Sequence, residues 1–218
     1  MQKPTKHIHV RISGEHRFIA FVQCTNLSKI EVSPNNRRYS LKDGTLYSKS
    51  GDTLFLVPKK TAAFTIPSTV KCIGDEAFAF CDSLRSIVIP NSVTSIGKSA
   101  FARCYNLQSV VIPNSVTSIK WSTFFGCESL QNVVIPNSVT SIGEFAFKGC
   151  NLQNVVIPNS VTSIGAFAFA YCRKLQSIVI PNSVTNIGRS AFGDAVLQTF
   201  TIEAQTPPII RDCIFLYI

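Results

Sequence analysis

Apolar and polar positions alternate along this chain in short runs that proline interrupts, and the stretch from 107 to 127 shows the unit most clearly. In Leu107-Gln-Ser-Val-Val-Ile112 a strand points Val110 and Ile112 inward, with Leu107 packing where the chain enters it. Side chains of a strand alternate, so Ser109 and Val111 face out. Pro113 has no N–H to donate and stops the ladder, and Pro113-Asn114 makes a turn. Val116 and Ile119 are the next inward positions, on a second short extended segment. The stretch Trp121 to Cys127 is too short for a long helix and predicts one or two helical turns, with Phe124 and Cys127 on one face.

This unit recurs. Versions of Ile-Pro-Asn-Ser-Val-Thr-Ser-Ile-Gly place prolines at Pro67, Pro90, Pro113, Pro136, Pro158 and Pro181, in steps of 23, 23, 23, 22 and 23 residues. Phenylalanine keeps the same register at Phe78, Phe101, Phe124, Phe147, Phe169 and Phe192. Leucine follows at Leu84, Leu107, Leu130, Leu152, Leu175 and Leu197. The 22-residue step arises because Cys150-Asn151-Leu152 lacks a residue present in Cys127-Glu128-Ser129-Leu130, a deletion in a connecting turn where stacking suffers least. A fixed period in this range means a solenoid, whose repeats bury their apolar faces only against one another. The expected architecture is a right-handed coil of ~23-residue repeats with a parallel β-sheet on one face and short strands and helical turns opposite.

Cysteine follows the first five of these phenylalanines at Cys81, Cys104, Cys127, Cys150 and Cys172, with Ala195 in the sixth place. Equivalent residues of adjacent strands lie about 4.8 Å apart, so thiols in register form a line rather than a tetrahedral cluster. No Cys-x-x-Cys pair occurs in the sequence. Reduced core thiols, acting as small hydrophobes, are the expectation. Cys72 replaces a serine of the repeat, Cys24 fits a degenerate first repeat, and Cys213 lies near the chain end.

The phrase Ile-Pro-Asn-Ser-Val-Thr-Ser-Ile-Gly-x-x-Ala-Phe-x-x-Cys-x-x-Leu resembles the BspA-like, Treponema-type leucine-rich repeats, closely over about 63–202. Asn35-Asn36 followed by Tyr39 to Tyr47 resembles the hairpin insertion that such proteins carry ahead of their regular repeats, and Thr206-Pro207-Pro208 resembles their exit from the last one. The resemblance implies a leucine-rich-repeat solenoid, a surface or secreted location, and adhesion to host matrix or cell-surface proteins. The expected organisation is a single solenoid domain over 1–218. It comprises a degenerate N-terminal repeat (1–32), a hairpin or meander insertion (33–62), regular repeats (63–202) and a C-terminal cap or truncated repeat (203–218). The apolar ending Ile-Phe-Leu-Tyr-Ile predicts either a segment folded over the last repeat or a chain that continues.

Charge is uneven. Met1 to Lys71 holds 12 Lys/Arg against 4 Asp/Glu, a balance of +8, while Cys72 onward holds 9 against 8, a balance of +1. The basic character therefore belongs to the N-terminal cap region, with Arg37, Arg38, Lys59 and Lys60 as the residues to recruit an acidic partner. Scattered basic residues without stacking aromatics argue against nucleic acid. The apolar run Phe18 to Val22 is too short for a signal peptide, so the expectation is a cytoplasmic chain or a start that lies upstream. No stretch is long enough for a transmembrane segment.

Catalytic chemistry has little to build on. His7, His9 and His16 all precede the repeats, Cys72 has no identifiable base, and Gly74, Gly97, Gly143, Gly165 and Gly188 are turn residues of the repeat rather than a phosphate loop. The reading is a non-enzyme with no cofactor, no metal and no small-molecule substrate. A protein ligand or a second copy of the chain remains as partner. The candidate binding face is the outward side of the strands. Ser86, Ser109, Asn132, Asn154 and Ser177 form one row, and Val88, Val111, Val134, Val156 and Val179 form the next, ending in Thr201. Variation concentrates instead on the turns, where Asp75, Lys98, Trp121, Glu144, Ala166 and Arg189 are equivalents. Trp121 is the single tryptophan, in a repeat where Lys120 replaces glycine and Thr123 replaces alanine, and it is a candidate anchor if exposed or, if not, a residue packing flat against Phe125 or a neighbouring turn.

Overall fold

A computed structural model describes residues 30–210 and 213–215. Cys24, the three histidines and most of the degenerate first repeat lie outside them, as do residues 211–212 and 216–218. The described chain begins with an antiparallel meander of β1 (Tyr39–Lys42), β2 (Thr45–Ser48) and β3 (Thr53–Leu56). The Asp43-Gly44 turn joins β1 to β2, with both residues at positive φ as a tight hairpin requires. β3 then pairs in parallel with the first short strand of the coil.

Each following coil supplies a principal strand and a two-residue strand, except that the coil of 152–164 has only the short one. The principal strands are β4 (Ala63–Thr65), β6 (Ser86–Val88), β8 (Ser109–Val111), β10 (Asn132–Val134), β13 (Ser177–Ile180) and β15 (Thr199–Ile202). The short strands are β5 (Cys72–Ile73), β7 (Ser95–Ile96), β9 (Ser118–Ile119), β11 (Ser141–Ile142), β12 (Ser163–Ile164), β14 (Asn186–Ile187) and β16 (Ile209–Ile210). All pair in parallel with their equivalents one coil away, in unshifted register.

Between the two strand rows runs a column of phenylalanine rings. Phe78, Phe101, Phe124, Phe147, Phe169 and Phe192 are fully buried. Successive rings stack at 4.9 to 5.5 Å with planes within 16° of parallel. Beside them Cys104, Cys127, Cys150 and Cys172 each donate the thiol to the carbonyl of a phenylalanine in the preceding coil, Phe78, Phe101, Phe124 and Phe147 in turn. The ladder thiols are reduced and buried.

The expected helical turns are absent, and no helix occurs among the described residues. Trp121 to Cys127 is a run of β-turns instead. Thr123, Phe125 and Cys127 donate three residues back, to Lys120, Ser122 and Phe124, whereas Ser122, Phe124 and Gly126 donate to Glu144, Ala146 and Lys148 of the next coil. A helix spends every N–H within itself; here alternate donors tie neighbouring coils together. Such turns need left-handed residues, and each coil has two, four apart: Glu76 and Phe80, Ser99 and Arg103, Ser122 and Gly126, Phe145 and Gly149, Phe167 and Tyr171, Ser190 and Asp194.

Both strand ladders are interrupted once. The short-strand ladder stops between β7 and β9. After β5, β7, β11, β12 and β14 a glycine follows the short strand; at Gly143 a Cβ would strike the preceding backbone, 2.7 Å from the carbonyl carbon of Lys120. Lys120 carries such a Cβ, and the bond that Gly97, Gly143, Gly165 and Gly188 donate to the preceding coil is missing at Lys120. Thr117 likewise lacks the bonds that Thr94, Thr140, Thr162 and Thr185 make to the preceding coil through both amide and hydroxyl. The Lys120 ammonium instead bonds the Ser95 hydroxyl at 2.8 Å.

The principal ladder fails around residues 154–157, where only an Asn132–Asn154 bridge remains. This is the coil that lacks a residue after Cys150, so the shortened turn does disturb stacking, on the strand side. The final coil is equally short at Ala195-Val196-Leu197, yet β15 pairs with β13 over four residues. That coil has a longer neighbour on one side only, whereas the 154–157 segment is held between two.

Candidate interaction surface

The strand face is built by a simple rule. In β6, β8 and β10 the middle residue is buried and its two neighbours are exposed. Ser86, Ser109, Asn132, Asn154 and Ser177 all face solvent, as do Val88, Val111, Val134, Val156 and Val179. The valine row is the apolar part of this surface, and Val156 is its most open member at 80% exposure. A stripe of that kind on a polar sheet removes water when covered, which favours association.

The interruption of the ladder gives the face relief. Gln153 still donates to Gln131, and Gln198 to Gln176, but no backbone bond among the described residues joins 153–157 to 176–180. An open groove of about 520 Å³ lies there, lined by Asn154, Val156, Pro158, Ser177, Val179 and Glu203 among others. Backbone groups along β13 that would pair with the neighbouring coil have no backbone partner on that side among the described residues, so the groove offers a strand edge beside Val156, Val179, Asn154 and Ser177. The groove is not legible in the sequence, because the rule of the repeat contains no gap.

Trp121 lies elsewhere, on the turns. It is 45% exposed and meets Phe145 of the neighbouring turn at 6.2 Å, edge-on rather than flat. Thr123 beneath it is buried, its hydroxyl bonded to the Lys120 carbonyl. Of the basic cap, Arg37, Arg38 and Lys60 are exposed, and Lys59 is half-buried with its ammonium 5.4 Å from the centre of the Phe80 ring.

Burial pushes the thiols of Cys81, Cys127, Cys150 and Cys172 up, Cys172 to about 12. Cys104 is raised first by its bond with Cys127 and then by burial. Cys72 is half-buried and raised for the same reason as the ladder thiols, though Lys120 pulls it the other way. Burial also raises Glu76, with Asp75 adding to the shift. No group of three or more metal-ligating side chains and no helix able to cross a membrane occurs among the described residues.

The pattern of the BspA type leucine-rich repeat region matches residues 48–144 and 94–217, in six copies. No curated protein matches the chain. Among crystal structures, a leucine-rich repeat protein from Bacteroides ovatus is 32% identical with a TM-score of 0.70, covering 82% of this chain and 48% of its own. A leucine-rich repeat protein of T. pallidum is 30% identical with a TM-score of 0.67, covering 80% of this chain and 84% of its own. A leucine rich cell surface protein from Faecalibacterium prausnitzii is 33% identical with a TM-score of 0.59, covering 85% and 44%. The chain thus spans about half the length of the first of these and less of the last. With its repeat phrase, parallel ladders and phenylalanine column in one register, this chain belongs to the BspA-type leucine-rich repeat family.

Proposed function

We propose that this protein is a non-enzymatic interaction module that holds an extended protein ligand on its strand face, centred on the groove between 154–158 and 177–181, and that it acts in adhesion at a cell surface. The observation that carries this reading is the coincidence of the exposed valine row with the break in the principal ladder, where backbone groups are left open among the described residues. A ligand strand lying there meets the edge of β13 and covers Val156 and Val179, and repeated weak contacts along the row add avidity. The similar protein from Faecalibacterium prausnitzii is described as a cell surface protein, which agrees with the location.

The test replaces Val111, Val134 and Val156 together by threonine and measures binding to a panel of immobilised extracellular-matrix proteins. Threonine keeps the strand shape, so folding is retained and binding falls. Undiminished binding by the triple variant overturns the reading. A collapse of binding with added salt and with neutralisation of Arg37, Arg38, Lys59 and Lys60 moves the site to the basic cap and makes the protein a scaffold for an acidic partner.

A further inference from the structure

The turns carry a second pattern. After each stacked phenylalanine the chain reads Ala79-Phe80, Ala102-Arg103, Phe125-Gly126, Lys148-Gly149, Ala170-Tyr171 and Gly193-Asp194. The second residue of every pair has positive φ. In most coils it carries the bulk and its predecessor is alanine or glycine. In the two central coils the bulk moves to Phe125 and Lys148, and glycine takes the left-handed place. Gly126 and Gly149 then lie over one another, and a Cβ on Gly149 would be in ordinary contact with the Gly126 Cα at 3.8 Å. They line a notch of about 330 Å³ together with Arg103, Tyr105, Phe125, Glu128, Lys148 and Tyr171. It shares no residue with the groove on the strand face.

The cations around this notch are held by rings. The Arg103 guanidinium lies 5.3 Å from the centre of Phe80 and 5.7 Å from that of Phe125. The Lys148 ammonium lies 5.2 to 5.4 Å from Phe145, Phe167 and Tyr171, and Arg173 stands 5.7 Å from Tyr171. A ring face positions a cation without cancelling its charge. Arg103 therefore keeps a directed row of N–H donors suited to a planar oxyanion. The repeats are almost neutral in sequence, yet folding gathers Arg103 and Lys148 at one notch against the single carboxylate of Glu128.

We propose that this notch binds an anionic saccharide, a sugar ring carrying one carboxylate or sulfate. The charge meets Arg103 and Lys148. Glu128 and the phenols of Tyr105 and Tyr171 supply acceptors and donors for ring hydroxyls, and Phe125 supplies an apolar wall. Glu128 disfavours a small, multiply charged anion such as phosphate by like-charge repulsion.

The test uses the full chain and saturation-transfer NMR with three probes: D-glucuronate, D-glucose and a short aspartate-rich peptide. Transfer to glucuronate that exceeds transfer to glucose is expected, with affinity falling about tenfold in Arg103→Gln as one charge-assisted contact is lost. Gly149→Asp fills the notch with a residue type already found at the equivalent backbone position in Asp194, so it folds and does not bind. The Val111, Val134 and Val156 triple variant binds glucuronate like the native chain, which separates this site from the strand face. No transfer to glucuronate, or equal binding by a folded Arg103→Gln variant, overturns the proposal. Binding of the peptide alone overturns the saccharide and assigns the notch to an acidic protein segment.

Discussion

Phe200 meets Phe192 edge-on, with ring centres 5.4 Å apart and planes 70° apart, and so closes one end of the phenylalanine column. Phe64 does the same to Phe78 at the other end, at 5.4 Å and 77°. Both occupy the inward place of a principal strand, paired with Ile178 and Ile87 respectively. The strands between hold isoleucine or valine there. A stack of rings needs cover at its ends, and a turned ring presents its positive edge to the terminal face. Phe124→Ala, in the middle of the column, is expected to cost about 3–5 kcal/mol. Phe200→Ala costs less and frays only the final coil, because Phe200 is half-buried. Denaturant titration with amide exchange at residues 199–210 separates the two outcomes.

Lys120→Gly removes the Cβ that keeps the third coil off the second. The expected result is closure of the short-strand ladder, read as slowed amide exchange at residues 117 and 120 with unchanged exchange at 140 and 143. The opposite change, Gly97→Ala, places a Cβ 2.5 Å from the Gly74 carbonyl carbon. Overpacking against backbone has no flexible side chain to yield, and a loss of about 1–3 kcal/mol is expected in a urea melt.

Gly126→Ala tests the left-handed turns. Its Cβ would lie 3.4 Å from the Arg103 side chain, so space is adequate, but its φ of +66° is unfavourable for an L residue. A destabilisation of about 1–2 kcal/mol is expected. The reverse substitution Asp194→Gly relieves the same strain at a φ of 55° and raises the melting temperature of the final coil.

The buried thiols make stability depend on alkaline pH. Each is raised above its unfolded value, so its contribution is fully present below the unfolded pKa of about 8.5. Above that pH the unfolded chain releases protons that the folded chain retains, and stability falls by about 1.4 kcal/mol per pH unit per thiol until the folded pKa is passed. For Cys172 the window runs up to about 12. Urea midpoints measured from pH 8 to pH 10.5 should fall steeply, and Cys127→Ala should flatten the slope by one thiol. Among the described cysteines, exposed Cys213 is the one expected to react promptly with iodoacetamide in the native state.

Much of this molecule is legible in one dimension. The inward places of Val110, Ile112, Val116, Ile119 and Phe124 follow from strand alternation and from the constancy of those residues across copies, because stacking forces the same position inward in every coil. The exposure of Val111 and Ser109 follows from the same alternation. The helical turns did not survive because local spacing cannot show where an N–H goes. Ser122, Phe124 and Gly126 donate to residues 22 positions onward, and that partner exists only once the coils are stacked.

The period was enough for the solenoid and the repeat phrase for the resemblance to its family, since both rest on a rule repeated at every turn. The features that distinguish one part of the coil from another arise from contacts between coils. In the sequence Lys120 is a lysine in a glycine's place; in the fold its Cβ opens a ladder. Cys150-Asn151-Leu152 is a harmless deletion until a strand has to align with a longer neighbour on each side. Arg103 and Lys148 are separated by 45 residues in a nearly neutral stretch, and two coils of stacking bring them to the same notch. Repetition specifies what every coil shares, but a break in repetition acquires its meaning from the side chain and backbone one coil away.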